Sequence, residues 1–185
     1  MSDSDRIAAL EAKVSELMDR QAIFDCIRRT SRGNDRFDIE LITGSYHEDG
    51  LHELGENKIS GQAYGEHANH AHRAIAEANL HNVTLHLCEI DGDVAHAESY
   101  VIGVFLDKGG KSSRMLAGRY IDRLERRGGA WKIALRRATV EVALEGSAIL
   151  PNGSNLLGSG YLCGNRDRGD PSYERPLSTE SGGRW

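Results

Sequence analysis

The chain is short of cysteine, proline and basic charge, and each shortage excludes something. Three cysteines in 185 residues (Cys26, Cys88 and Cys163) are odd in number, far apart and without a CxxC spacing. They read as reduced cytoplasmic thiols, neither a disulfide framework nor a zinc site. The three prolines, Pro151, Pro171 and Pro176, all fall in the C-terminal tail. Acidic residues outnumber basic ones 28 to 23, for a net charge of -5. No concentrated basic character exists to hold phosphates, so nucleic acid is not an expected partner. No stretch approaches the ~20 apolar residues of a membrane helix. The start, MSDSDRIAALEAK, has no apolar run for a signal peptide, so the expected location is the cytoplasm, away from membranes. HExxH, GxxxxGK[ST] and G-x-S-x-G are also missing, which removes the commonest zinc-peptidase, phosphate-loop and serine-nucleophile readings.

What remains is an ordinary globular mixture, 39% hydrophobic and 28% charged, long enough for one domain with its own core. Ile7, Leu10, Val14 and Leu17 recur at helical spacing, and a new phase begins near Ala22 with Ile23, Cys26 and Ile27. This predicts two helices, or one bent near Asp19–Arg20, ending around Gly33. A short helix follows over 37–45, with Asp35 or Asp38 as its N-cap, then a short strand over 51–54 and an alanine- and histidine-rich helix over 61–78. The period then switches to that of strands, over 81–90, 94–106, 114–126 and 130–144. Asp91-Gly92-Asp93, Asp107-Lys108-Gly109-Gly110 and Arg127-Gly128-Gly129 supply the turns. Helices first and a curved antiparallel meander after them make the fold class α+β. The domain is placed at 5–144 and a C-terminal extension at 145–185, its apolar part resting on the domain or a neighbouring subunit and its end loose. One sheet face is too apolar to be wet, which predicts a homodimer or homotrimer.

Several residues invite chemistry. His81 begins the mostly apolar row His81, Val83, Leu85 and Leu87, where it is either a satisfied core histidine or a proton acceptor. Asp35 either caps a helix or orients an imidazole, and no local spacing joins it to His81. Arg136 or Arg137 must share a face with Ala134 and Ala138, and there an arginine needs a partner or an anionic group; Arg119 raises the same question. His47, Glu48, Asp49 and His52 read as a solvated turn, and His67, His70 and His72 as surface or pocket wall. No metal is assigned to either group.

Taken in order, Ala22 to Ile27, Arg32 to Asp38, Ser45 to Gly50, His81-Asn82-Val83, Glu89 to Ala95, Glu98-Ser99-Tyr100, Gly118 to Glu125 and Gly129 to Ile133 with Arg136 resemble the SnoaL-like branch of the NTF2-like superfamily. The resemblance implies a cone-shaped α+β barrel whose curved sheet wraps an apolar pocket closed by N-terminal helices. It also implies an acid–base pair, with His81 abstracting a proton and Asp35 supporting it. Arg136 or a tyrosine such as Tyr46 would stabilise the leaving oxygen, and Tyr100, Tyr120, Arg119, Leu85 and Phe24 would bind the substrate. Many relatives need neither metal nor organic cofactor, so none is assigned. The expected activity is a dehydratase-like lyase acting on a hydrophobic hydroxylated aromatic or polycyclic small molecule. Formaldehyde-releasing retro-aldol cleavage of an aromatic dimer, isomerisation, polyketide cyclisation and a non-enzymatic binding or assembly role remain open.

Overall fold

The computed structural model describes residues 1–148, 162 and 164–179. Helix α1 (Asp3–Arg36) opens with a capping box: Ser2 Oγ accepts from the Asp5 N–H at 3.1 Å, and the Ser2 N–H donates to the Asp5 carboxylate at 2.8 Å. It is a single helix, not two. The change of hydrophobic phase near Ala22 marks a change of surroundings, because Ile23, Cys26 and Ile27 are buried while Ile7, Leu10, Val14 and Leu17 remain exposed.

The helix also runs past Gly33. That glycine permits close packing, since a Cβ there would sit 2.5 Å from Ile42 Cγ1 and 2.9 Å from the Asp38 carbonyl oxygen. Termination falls instead on Phe37, a non-glycine residue at φ 54°, where the Asp38 N–H closes back on the Gly33 carbonyl at 3.0 Å. The guanidinium groups of Arg73 and Arg166 lie over the Phe37 ring at 5.0 and 4.6 Å and hold this left-handed residue in place.

Asp38 then caps α2 (Ile39–Thr43), accepting from the Leu41 N–H at 3.2 Å. Strands β1 (Tyr46–Leu54) and β2 (Asn57–Ser60) follow, then helix α3 (Gly61–Ile75). The remaining strands are β3 (Ala76–Asp91), β4 (Val94–Asp107), β5 (Ser112–Arg127), β6 (Ala130–Ala138) and β7 (Val142–Ser147). The sheet runs β2-β1-β6-β5-β4-β3, with β7 also beside β5. It is curved, unclosed and mixed. The meander is antiparallel as expected, but β1 enters parallel to β6, with Tyr46 opposite Ile133 and His52 opposite Arg136. That pairing turns residues 46–50, expected to end a helix, into strand. The strand expected over 130–144 breaks at 139–141 between β6 and β7. There Gly118 passes so close to Thr139 that a Cβ would lie 2.0 Å from its carbonyl oxygen.

A β-bulge in β3 decides which residues face inward. Val83 pairs with Val101 but His86 with Ser99, so Thr84 and Leu85 together face Tyr100. Before the bulge His81 and Val83 point in; after it His86, Cys88 and Ile90 do, and Leu85 and Leu87 turn outward. Residues 149–161, where much of the apolar tail was expected to rest on the domain, lie outside the described residues. Of residues 165–185, expected to be loose, the described part over 165–179 lies against the end of α1: Arg36 pairs with Asp170 at 3.0 Å and the Tyr173 hydroxyl donates to Asp38 at 2.9 Å. Among the described residues no helix is long and apolar enough to cross a membrane.

The core packs Ile23, Ile27, Ile42, Leu124 and Ile133 around one buried ion pair. Arg136, 1% exposed, donates through Nε and Nη2 to both Asp122 carboxylate oxygens at 2.7 and 2.8 Å, and through Nη1 to Thr30 Oγ1 at 2.6 Å. The Tyr120 ring covers its face at 4.1 Å. A buried charge without its partner is costly. Arg136→Met is therefore expected to lower unfolding free energy by about 3–5 kcal/mol in a urea titration, and the combined Arg136→Met, Asp122→Leu variant to recover most of it.

Candidate active site

Asp35 lies in the last turn of α1, just before Phe37 ends the helix. Because Asp38 takes the capping role, the Asp35 carboxylate is free to face β3. It accepts three donors there: the His81 backbone N–H at 2.9 Å on Oδ2, Asn79 Nδ2 at 2.9 Å on Oδ1, and His81 Nδ1 at 2.7 Å on Oδ1. Asn79 is in turn held by Arg166 from the tail, which donates to Asn79 Oδ1 at 2.6 Å and to the Ala76 carbonyl at 2.8 Å. An Nδ1–H donated to a carboxylate fixes the tautomer of a neutral imidazole and leaves the Nε2 lone pair free.

His81 borders a cavity of about 260 Å³. Its walls are mainly apolar, with Val101, Phe105, Leu116, Ala138 and Val140 among them. Phe105 meets the His81 ring edge-on at 5.6 Å. Gly103, opposite His81 in the β3–β4 register, makes room for the Phe105 ring beside the imidazole, since a Cβ there would lie 2.9 Å from Phe105 Cε2 and 3.7 Å from His81 Cδ2. Two further histidines line the cavity, His72 from α3 and His52 from β1. His72 sits 5.3 Å from His81, ring to ring. Burial, aided by the neighbouring His81, pushes the His72 imidazole down to about 4. Burial likewise pushes His52 down to about 3, with Arg136 adding a smaller push. Both are neutral at ordinary pH.

Of the residues expected at the site, the fold brings together His81, Asp35 and Tyr120, the last being a cavity wall. The others lie elsewhere. Arg136 is sealed against Asp122 behind Tyr120. Tyr46 is buried outside the cavity, its hydroxyl 2.7 Å from His52 Nδ1. Tyr100 and Arg119 occupy the outer sheet face, where Arg119 pairs with Glu98 at 2.9 Å and Glu141 at 2.5 Å. Leu85 is 50% exposed because the bulge reverses its side. Phe24 stacks on His86 at 4.4 Å, between α1 and β3. The expected solvated turn also dissolves: His52 is buried, and His47 bonds the Glu125 carbonyl at 2.9 Å.

His52, Tyr64 and Phe105 have no role at the site in the sequence pattern, which leaves His72 between surface and pocket wall. A signal for α3 existed: Tyr64, Ala68, Ala71, His72 and Ile75 recur at three- and four-residue spacing and form its inner stripe.

A SnoaL-like domain model matches residues 15–137. The chain belongs to the SnoaL-like family. Among solved structures, this SnoaL-like protein is similar to a protein of unknown function from Mycobacterium tuberculosis at 29% identity, with a TM-score of 0.60 over 68% of this chain and 77% of that one. It is also similar to hexachlorocyclohexane dehydrochlorinase LinA-type3 from Novosphingobium barchaimii, at 19% identity and a TM-score of 0.68 over 74% and 96%. A scytalone dehydratase-like protein from Novosphingobium aromaticivorans aligns at 17% identity and a TM-score of 0.64 over 71% and 90%. These last two likenesses establish the NTF2-like α+β cone as the fold. No curated protein matches the chain.

The depressed histidines make stability depend on pH. Below the ordinary value of 6.5 the unfolded chain takes up protons at His52 and His72 that the folded chain refuses, so stability falls with acidification and is fully present only above that value. Each group contributes a slope of about 1.4 kcal/mol per pH unit between the unfolded and folded values. The melting temperature is expected to drop between pH 7 and pH 4, and His72→Leu to flatten the part of that slope lying above about pH 4.

Proposed function

We propose that this SnoaL-like protein is a lyase that needs no cofactor and eliminates water from a small hydroxylated ring compound. The observation that carries this reading is the 2.7 Å contact between Asp35 and His81 Nδ1 at the wall of an apolar cavity. A pocket that only binds has no need of a carboxylate-oriented imidazole with a free Nε2. His81 Nε2 takes a proton from the carbon next to the one bearing the hydroxyl. The C–H electron pair becomes the new C=C bond, and the C–O bond breaks. The leaving oxygen takes up the proton that His81 has gained and departs as water, and Asp35 stabilises the imidazolium in between.

Supporting polar groups are few. The Tyr120 hydroxyl keeps its proton because burial pushes its pKa well up, so it serves as a donor to oxygen. His72, neutral through burial, is a further polar group in the cavity wall. Asp35 and His81 also border a polar groove with Arg28, Arg32 and Thr84 on the outer side, a route for proton exchange with water. No Lys or Arg lines the inner cavity among the described residues, which favours an uncharged substrate. A volume of about 260 Å³ lies below the ~300–1,000 Å³ common for drug-sized ligands, and so favours one or two rings over a steroid-sized skeleton. The names of two structural neighbours, a dehydrochlorinase and a scytalone dehydratase-like protein, are consistent with elimination rather than aldehyde release.

The test is a screen of one- and two-ring hydroxylated compounds for water loss without added metal or nucleotide, followed by variants. His81→Ala and His81→Gln are expected to keep the fold and lose ~10²–10⁴-fold in kcat. Asp35→Asn should lose somewhat less, since it orients and does not transfer. Turnover within a few fold of the parent in both His81 variants would remove the imidazole from the mechanism.

A further inference from the structure

The first five turns of α1 stand away from the domain and carry an apolar stripe that nothing among the described residues covers. Ile7, Leu10, Val14 and Leu17 are each more than half exposed. Their spacing alternates three and four residues, which makes Ile7 and Val14 the a positions and Leu10 and Leu17 the d positions of two heptads. At about 100° per residue, this stripe lies on the side of the helix roughly opposite Ile23, Cys26, Ile27 and Thr30, the face the domain buries. The protein's own sheet therefore cannot reach it. Where the protruding part begins, the helix is clamped: Asp19 accepts from Arg126 Nη1 at 2.9 Å and Trp131 Nε1 at 2.8 Å, and Arg20 donates to the Cys88 carbonyl at 2.7 Å. The stripe is thus presented on a preformed helix, and the cost of nucleation is already met.

We propose that this segment pairs with the same segment of a second copy of the chain as a parallel two-stranded coiled coil. Two features choose the occupant and its direction. β-Branched residues at a with leucine at d favour two parallel strands. The flanking charges agree. Arg6 and Lys13 are g positions and Glu11 an e position, and a parallel pair sets Arg6 of each helix beside Glu11 of the other. An antiparallel pair would set Lys13 against Lys13 and Glu11 against Glu11, like against like. Because the stripe points away from the domain, the two domains flank the helix pair on opposite sides, clear of the seam. A lipid surface suits the segment poorly, since residues 3–20 hold five acidic and three basic side chains, the reverse of a helix drawn to anionic membranes. The pairing lies away from the cavity and does not depend on the activity proposed for it.

Sedimentation of the full chain over a concentration series tests this. The parent is expected to move from monomer to twice the monomer mass as concentration rises. Leu10→Gln with Leu17→Gln, both exposed positions that keep a good helix former, should remain monomeric and melt like the dilute, monomeric parent. Arg6→Glu alone should weaken association several-fold, and Arg6→Glu with Glu11→Arg should restore it. A parent that stays monomeric throughout, or a dimer that persists in the double-leucine variant, would overturn the proposal. Failure of the charge exchange to restore pairing would overturn the parallel arrangement.

Discussion

The carboxylate of Asp35 is the point on which the site depends. It joins the end of α1 to the start of β3 through the His81 backbone and side chain, and through Asn79 it meets Arg166 from the tail. Three regions far apart in sequence thus share one charged acceptor. Hydrogen bonds to an ionised group are stronger than neutral ones, and more so where water is scarce. The same contacts that fix the helix end therefore set the imidazole's direction and tautomer. The termination at Phe37 is part of this arrangement. A left-handed residue capped by two guanidinium groups turns the chain so that Asp38, not Asp35, serves α2.

A second buried ionic arrangement, Arg136 with Asp122, has the opposite character. Nε, Nη1 and Nη2 of the arginine are all engaged by protein, and an aromatic ring covers its face. Buried and absent from the cavity wall, the guanidinium is closed to a ligand. The Asp35–His81 pair is also buried, yet it stops short of saturation, because Nε2 of His81 is not needed by the protein's own hydrogen bonding. Chemistry follows from this difference. One pair stabilises a core against the cost of its own desolvation, and the other leaves a basic atom at the edge of an apolar space.

The cavity's other histidines complete that environment. His52 and His72 are kept neutral by burial, so the wall near His81 is polar without being charged. An imidazolium formed there in the proposed proton transfer would have the Asp35 carboxylate already hydrogen-bonded to it. In the proposed reaction one residue would meet that electrostatic demand, so a small and mostly apolar cavity can border an acid–base pair.

Much of this was legible in the sequence. The switch from helical to strand period, the hairpin turns and the ordered SnoaL-like segments together specified an α+β cone, because periodicity records which side of an element is wet. The same segments marked His81 and Asp35. What sequence left undecided depended on contacts between distant elements. Whether Asp35 or Asp38 capped a helix turned on where Phe37 bent the chain. Leu85 and His86 exchanged sides through one extra residue in β3, which a period-two pattern does not reveal. Arg136 was recognisable as an arginine needing a partner, but only packing chose Asp122 over a ligand. His52 looked solvated until β1 paired parallel to β6 and carried it inside. Local pattern thus determined the elements and the chemistry available to them. The tertiary structure alone decided which polar groups were consumed by one another and which remained facing the cavity, because that choice depends on register and helix ends that bring together residues far apart in the chain.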